Sequence, residues 1–139
     1  MERKYDYKQL DVYQDSKKLV LMIYELLRQF PKEEQFALCD QLRRAVISIP
    51  SNLAEGCGRI SFKEQAHFIE IAYGSLLEVE CQIDIARELA YVSKEEKEQI
   101  DSQINKIAVM FRACEKNVNL VSNPQPSTLN SQLSTCYLS

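Results

Sequence analysis

The stretch LCDQLRRAVISIPSNLAEGCG, residues 38–58, decides how the rest of the chain reads. Its apolar residues Leu38, Leu42, Ala45, Val46, Ile49 and Leu53 fall three and four apart, which puts them on one face of a helix and excludes the alternation of a strand. Pro50 interrupts the pattern. A proline there removes one intrahelical hydrogen bond and crowds the carbonyl four residues back, at Val46. The residues alone therefore predict a helix from near Lys32 with a bend or break at residues 48–51, where Ser48, Ser51 and Asn52 can satisfy the freed backbone groups. The run Glu55-Gly56-Cys57-Gly58 predicts the stop, because glycine reaches the left-handed conformation common at helix C-termini.

Working outward, Val12, Leu19, Val20, Ile23, Leu26 and Leu27 repeat at helical spacing over residues 11–29, and Phe30-Pro31 ends that helix. On the other side, Ser61-Phe62-Lys63-Glu64 and Ser93-Lys94-Glu95-Glu96 both have the S-x-x-E form of a capping box and mark two further helix starts. The third helix runs from about Ser61 to Tyr91. The fourth carries Ile100, Ile104, Ile107, Phe111, Cys114, Val118 and Val121 on its buried face. Four helices with short connections predict an all-α, antiparallel up-and-down four-helix bundle over residues 11–121. Residues 1–10 form an N-terminal extension, and the uncharged Ser-, Asn-, Gln- and Pro-containing residues 122–139 read as a flexible tail.

At 139 residues the chain fits one domain that can bury a core without staples. A formal net charge of -3 gives no global positive field, so any nucleic-acid site must be local. The five cysteines, without C-x-x-C spacing, point to a reduced, cytoplasmic chain. With neither a signal-type apolar segment nor a membrane-length one, a soluble bacterial-type protein without a membrane partner is expected.

Chemistry is sparse. His67 is the single histidine, which leaves any metal site or acid–base pair without a second imidazole. Gly56-Cys57-Gly58 has no strand before it and no G-K-S/T after it, so it does not read as a phosphate loop, and Cys57 has no second catalytic partner. Glu95, Glu96, Glu98 and Asp101 complement a helix N-terminus. No catalytic, metal or cofactor-binding residue is predicted, and no enzyme activity. The local basic set Arg43, Arg44, Arg59 and Lys63 brackets the expected bend and the turn after it. It is the candidate for phosphate contact, with Asp40 and Glu55 as competing internal partners.

Two helices look more apolar than one bundle requires. On the third, Phe62, Ile69, Tyr73, Leu76 and Ile83 form one stripe and Phe68, Ala72, Val79 and Ala86 an adjacent one. On the second, Phe36, Ile47 and Ala54 lie off the main stripe. Subunits of a homo-oligomer meeting along these helices account for the excess. Glu80 and Arg87 project with the apolar arc, so Glu78 or Glu80 is expected to pair with Arg43 or Arg44.

The run Gln41-Leu-Arg-Arg-Ala-Val-Ile-Ser-Ile-Pro-Ser-Asn-Leu-Ala-Glu-Gly56 resembles the signature of the four-helix-bundle proteins encoded in 23S rRNA intervening sequences, often labelled S23 ribosomal proteins. Tyr7 to Val12, Ile23-Tyr24, Phe30-Pro31 and Ala72-Tyr-Gly-Ser-Leu-Leu-Glu-Val-Glu80 match as well, over about residues 5–118. The resemblance implies long antiparallel helices assembled as a homopentamer, with the second helix continuing through its proline. It gives Arg43, Arg44, Ser48, Pro50, Asn52, Glu55, Gly56, Gly74, Ser75 and Glu78 as shared-motif positions and brings no enzyme activity. The family is similar to accessory proteins of diversity-generating retroelements, basic pentameric barrels that bind nucleic acid and a reverse transcriptase; the acidic balance here departs from that pattern. RNA, or a nucleic-acid-associated protein, is thus the expected partner beside the chain itself; a protein-binding scaffold is the alternative.

Overall fold

The computed structural model describes residues 6–119, with side chains as far as residue 114. A short 3-10 turn, Tyr7–Gln9, starts the described chain: the Asp6 carboxylate accepts from the Lys8 backbone N–H at 3.1 Å. Leu10 is buried, so the end of the N-terminal extension already belongs to the core.

Helix α1 spans Asp11–Leu27 and buries Val12, Ser16, Leu19, Ile23, Leu26 and Leu27. Ser16 sits within this stripe because its hydroxyl donates to the Val12 carbonyl at 2.6 Å, which removes the cost of burying it bare. A 3-10 turn at Lys32–Glu34 follows, and α2 runs Leu38–Cys57. The second helix therefore begins about six residues later than expected, because Pro31 and the turn occupy the first stretch.

Pro50 does not break the chain into two helices; α2 is continuous through it. The Asn52 amide donates to both the carbonyl and the hydroxyl of Ser48, each at 2.8 Å, and the Ser75 hydroxyl on the next helix donates to that of Ser48 at 2.9 Å. These bonds tether the proline turn to α3. The stop after α2 also differs from expectation. Gly58 has φ -85°, so the helix ends in right-handed backbone, and Gly56 lies inside it, buried.

Helix α3 spans Phe62–Glu88 and α4 Lys94–Asn119. The described chain contains four α-helices and no strand. α1 packs on α2 and α4, and α3 packs on α2 and α4, so α1 and α3 occupy opposite corners of the bundle. Its core includes Leu19, Ile23, Leu42, Val46, Ile49, Leu53, Leu76, Val79, Ile83, Ile104, Ile107 and Phe111. On α3 the two apolar stripes are one wide core face: Ile69, Ala72, Leu76, Val79, Ile83 and Ala86 are all buried. Two long helices flanking α3 account for that width, so these residues are no evidence for a second contact.

The α3–α4 connection carries the single described non-glycine residue with positive φ, Ala90 at 62°. The Tyr91 N–H donates back to the Ala86 carbonyl at 2.9 Å and the Ala90 N–H to that of Arg87 at 3.0 Å. That pair of bonds is a Schellman stop with alanine at the left-handed position. Residues Val121 and 122–139, and the side chain of Val118, lie outside the described residues.

Candidate nucleic-acid interface

The four basic residues come from two elements. Arg43 and Arg44 lie in the N-terminal half of α2; Arg59 and Lys63 flank the α2–α3 turn. Because α2 is unbroken, the thirteen-residue separation between Arg44 and the helix end at Cys57 extends over roughly 20 Å of helix axis, and Arg59 lies beyond that end. The structure thus brings the basic residues together as two pairs and does not gather them into one patch.

Within each pair one guanidinium is held in an ion pair. Arg44 faces Asp40 at 3.5 Å, one turn back, with 81% of its side chain exposed, and such a pair holds its partner weakly. Arg59 binds Glu55 at 2.6 Å and lies over the Phe68 ring at 4.9 Å from its centroid. Carboxylate and ring together fix the guanidinium as a flat plate at the turn. Arg43 is half-buried and reaches the Gln35 carbonyl at 3.4 Å. Lys63 is exposed and makes no ion pair among the described residues. Ile60, between Arg59 and Lys63, is 98% exposed.

The pairing expected between Glu78 or Glu80 and Arg43 or Arg44 is not formed. Glu78 is exposed and accepts from the Gln82 amide at 3.2 Å, Glu80 is half-buried, and Arg87 donates to the Val92 carbonyl at 3.2 Å. A helical wheel fixed their angles but overstated their depth, since a long side chain at the edge of a core face reaches water. Gln82 is buried; its amide spans Glu78 and, at 3.4 Å, Gln41 of α2, while its carbonyl oxygen has no partner in the chain.

The residues singled out for assembly divide in the same way. Phe36 is 87% exposed beside the α1–α2 turn, and Ile47 is partly exposed on α2. Pro50 is buried; Asn52 and Ser75 belong to the Ser48 network. Gly74 is exposed, and a methyl group added there would meet nothing within 4 Å. No contact in the chain requires glycine at that point, although a helix-interior glycine costs about 1 kcal/mol.

Sequence reasoning passed over the outer face of α3, where Ile71, Leu77, Ile85 and Leu89 are partly exposed, and that of α1, where Leu21 is 71% exposed beside Tyr24. The spacing Ile71, Gly74, Glu78, Cys81, Ile85 is a three-four repeat that would have found the first; it was masked by the stronger core repeat on the same helix.

Lys97 and Cys39 titrate away from their ordinary ranges, each for a structural reason. Hydrogen bonds from Lys97 to Asp101 and Asp84 hold its ammonium above the ordinary lysine range and link α4 to α3. Burial pushes the Cys39 thiol up, away from thiolate chemistry. His67 packs edge-on against Phe68. Among the described residues no cluster of His, Cys, Asp or Glu could hold a metal ion, and no helix is long and apolar enough to cross a membrane.

A family model for the 23S rRNA-intervening sequence protein matches residues 8–113. The chain belongs to that family. The match begins within the 3-10 turn ahead of α1 and ends within α4, so the whole bundle, including both pairs of basic residues, lies inside it or at its edge. No curated protein matches the chain.

Proposed function

We propose that this protein is a non-enzymatic, self-assembling helical bundle that engages structured RNA through the α2–α3 turn, at Arg59 and Lys63, with Arg43 and Arg44 as a second, weaker contact. The observation that carries the reading is the turn itself, inside a chain of the 23S rRNA-intervening sequence protein family. There an exposed lysine and a planar guanidinium braced on Phe68 flank the fully exposed Ile60. A braced guanidinium can meet a phosphate or stack on a base without first losing side-chain freedom. The chain's net charge of -3 requires that such binding be local, and repetition of the turn around an oligomer, the pentamer that the resemblance implies, supplies avidity where one turn is weak.

The test is binding of the purified chain to structured RNA across a salt series. Affinity should fall with salt, and Arg59→Glu with Lys63→Glu should weaken binding across RNA sequences and reduce the salt slope by about one to two. Absence of binding at low salt overturns the reading. The second reading, a protein-binding scaffold, is favoured by the pairing of Arg44 with Asp40 and of Arg59 with Glu55, which leaves those arginines structural work within the chain. Recovery of one reproducible protein partner free of RNA would support it.

A further inference from the structure

The outer faces of α1 and α3 carry matching patterns of opposite charge. On α1 and at its C-cap, Lys18 and Arg28 lie ten residues apart and bracket the exposed Leu21 and Tyr24, with Glu25 beside Arg28. On α3, Glu78 and Glu88 lie ten residues apart and bracket the exposed Cys81 and Ile85. Ten residues of helix is about 15 Å in both cases. The helices occupy opposite corners of the bundle and run in the same direction.

The patterns also stand at similar heights. At one end the Gln29 amide donates to the Tyr91 carbonyl at 2.9 Å and the Phe30 ring lies 5.4 Å from that of Tyr91, which sets Arg28 level with the end of α3, near Glu88. Lower down, Gln103 of α4 donates to the Asp15 carbonyl at 2.8 Å and Lys97 of α4 binds Asp84. Counting along the helices from these two ties puts Lys18 within about a turn of Glu78.

We infer that the α1 face of one copy of this chain docks on the α3 face of the next, Lys18 toward Glu78 and Arg28 toward Glu88, around the apolar pairs Leu21–Tyr24 and Cys81–Ile85. The inference rests on the self-assembly proposed above and names its contact. Rotation about an axis parallel to the helices leaves every residue at its own height. Complementary charges at equal height on two faces are therefore what a closed ring needs. Pairing of the α3 face with itself sets Glu70, Glu78 and Glu88 together and disfavours a two-fold dimer through it, while the α1 face keeps a positive balance, with Lys17, Lys18 and Arg28 against Glu25. The Arg28–Glu25 pair, at 3.4 Å with both side chains at least three-quarters exposed, leaves Arg28 free to turn outward. The open space at Gly74, on the same side of α3 as Cys81, allows a neighbouring helix to approach closely.

Sedimentation velocity of the full chain at low and moderate salt tests the contact. The wild-type chain should give a discrete species of several copies. Lys18→Glu with Arg28→Glu, and separately Glu78→Lys with Glu88→Lys, should each weaken association by about tenfold or more, and the chain carrying all four changes should regain it. A monomeric wild-type chain overturns self-assembly and this contact together. An oligomer unmoved by either reversal, or a four-fold exchange that does not recover, overturns the contact alone, as does a mass that climbs without limit with concentration. As a second measurement, Leu21→Cys treated with a short bis-maleimide should give an intermolecular ladder on a denaturing gel that Cys81→Ser removes. Absence of that ladder from an oligomeric sample also overturns the contact.

Discussion

The two turns on either side of α3 carry the same sequence device and close in different ways. At the α3–α4 turn the box is complete: the Glu96 N–H donates to the Ser93 hydroxyl at 3.1 Å, and the Glu96 carboxylate accepts from the Ser93 N–H at 2.9 Å. At the α2–α3 turn Ser61 makes no side-chain cap. Gln65, one residue past the box, turns back instead, and its amide donates to the Arg59 carbonyl at 2.7 Å while its own carbonyl oxygen stays buried without a partner in the chain. The first turn is further tied by Gln29, which donates to Glu96 and to the Tyr91 carbonyl, and by Phe30 against Tyr91. The second presents Ile60 to solvent. An S-x-x-E string thus states what a helix start can do; whether it does so depends on what else competes for the first turn. The tied end of the bundle is structural, and the loosely tied end is the one to which the proposed contact with RNA is assigned.

Breaking the tied end is expected to give the largest effect. Phe30 is buried and packs its ring at a tilt against Tyr91, so Phe30→Ala should cost about 3 kcal/mol in urea unfolding, whereas Ile60→Ala at the other end should stay within about 0.5 kcal/mol. Similar losses at both sites would mean that the two ends are equally packed.

A smaller step separates the two boxes directly. Ser93→Ala removes the acceptor for the Glu96 N–H and should lower stability by about 1 kcal/mol; Ser61→Ala removes nothing that is formed and should change it by less than about 0.5 kcal/mol. Equal losses in the same unfolding assay would show that Ser61 caps α3 in solution after all.

Much of this was legible before any coordinates. The three-four spacing of Leu42, Val46, Ile49 and Leu53, and of Ile100, Ile104, Ile107 and Phe111, gave the helices and their buried faces because burial is what that spacing is for. The path through Pro50 was not legible from the residues, since a proline inside a helical pattern is compatible with a break, a kink or a continuous helix. That one uncertainty propagated into the site. With α2 broken, Arg43 and Arg44 could fold toward Arg59 and Lys63; with α2 continuous, they stay roughly 20 Å away along its axis. The outer faces of α1 and α3 were hidden for a different reason: exposure depends on which helices are neighbours, and no periodicity states that.

The smallest expected effect concerns the residues at the two helix stops, which are the reverse of what backbone preference would choose. Ala90 holds φ 62°, where its methyl group crowds the backbone; Gly58 holds φ -85°, where any residue is comfortable. Ala90→Gly should relieve that crowding and stabilise the chain by about 0.5–1 kcal/mol, although glycine also widens the unfolded ensemble and so takes back part of the gain. Gly58→Ala should stabilise by a similar or smaller amount, because it narrows the unfolded ensemble and its added methyl would lie 3.4 Å from the Glu55 carbonyl oxygen, an ordinary contact. Both variants melting above the wild type would establish that α2 ends without a left-handed residue and α3 ends with one. A loss of stability in Ala90→Gly would mean that the last turn of α3 relaxes to right-handed backbone in solution, and the contrast between the two turns would then rest on the Ser93 box alone.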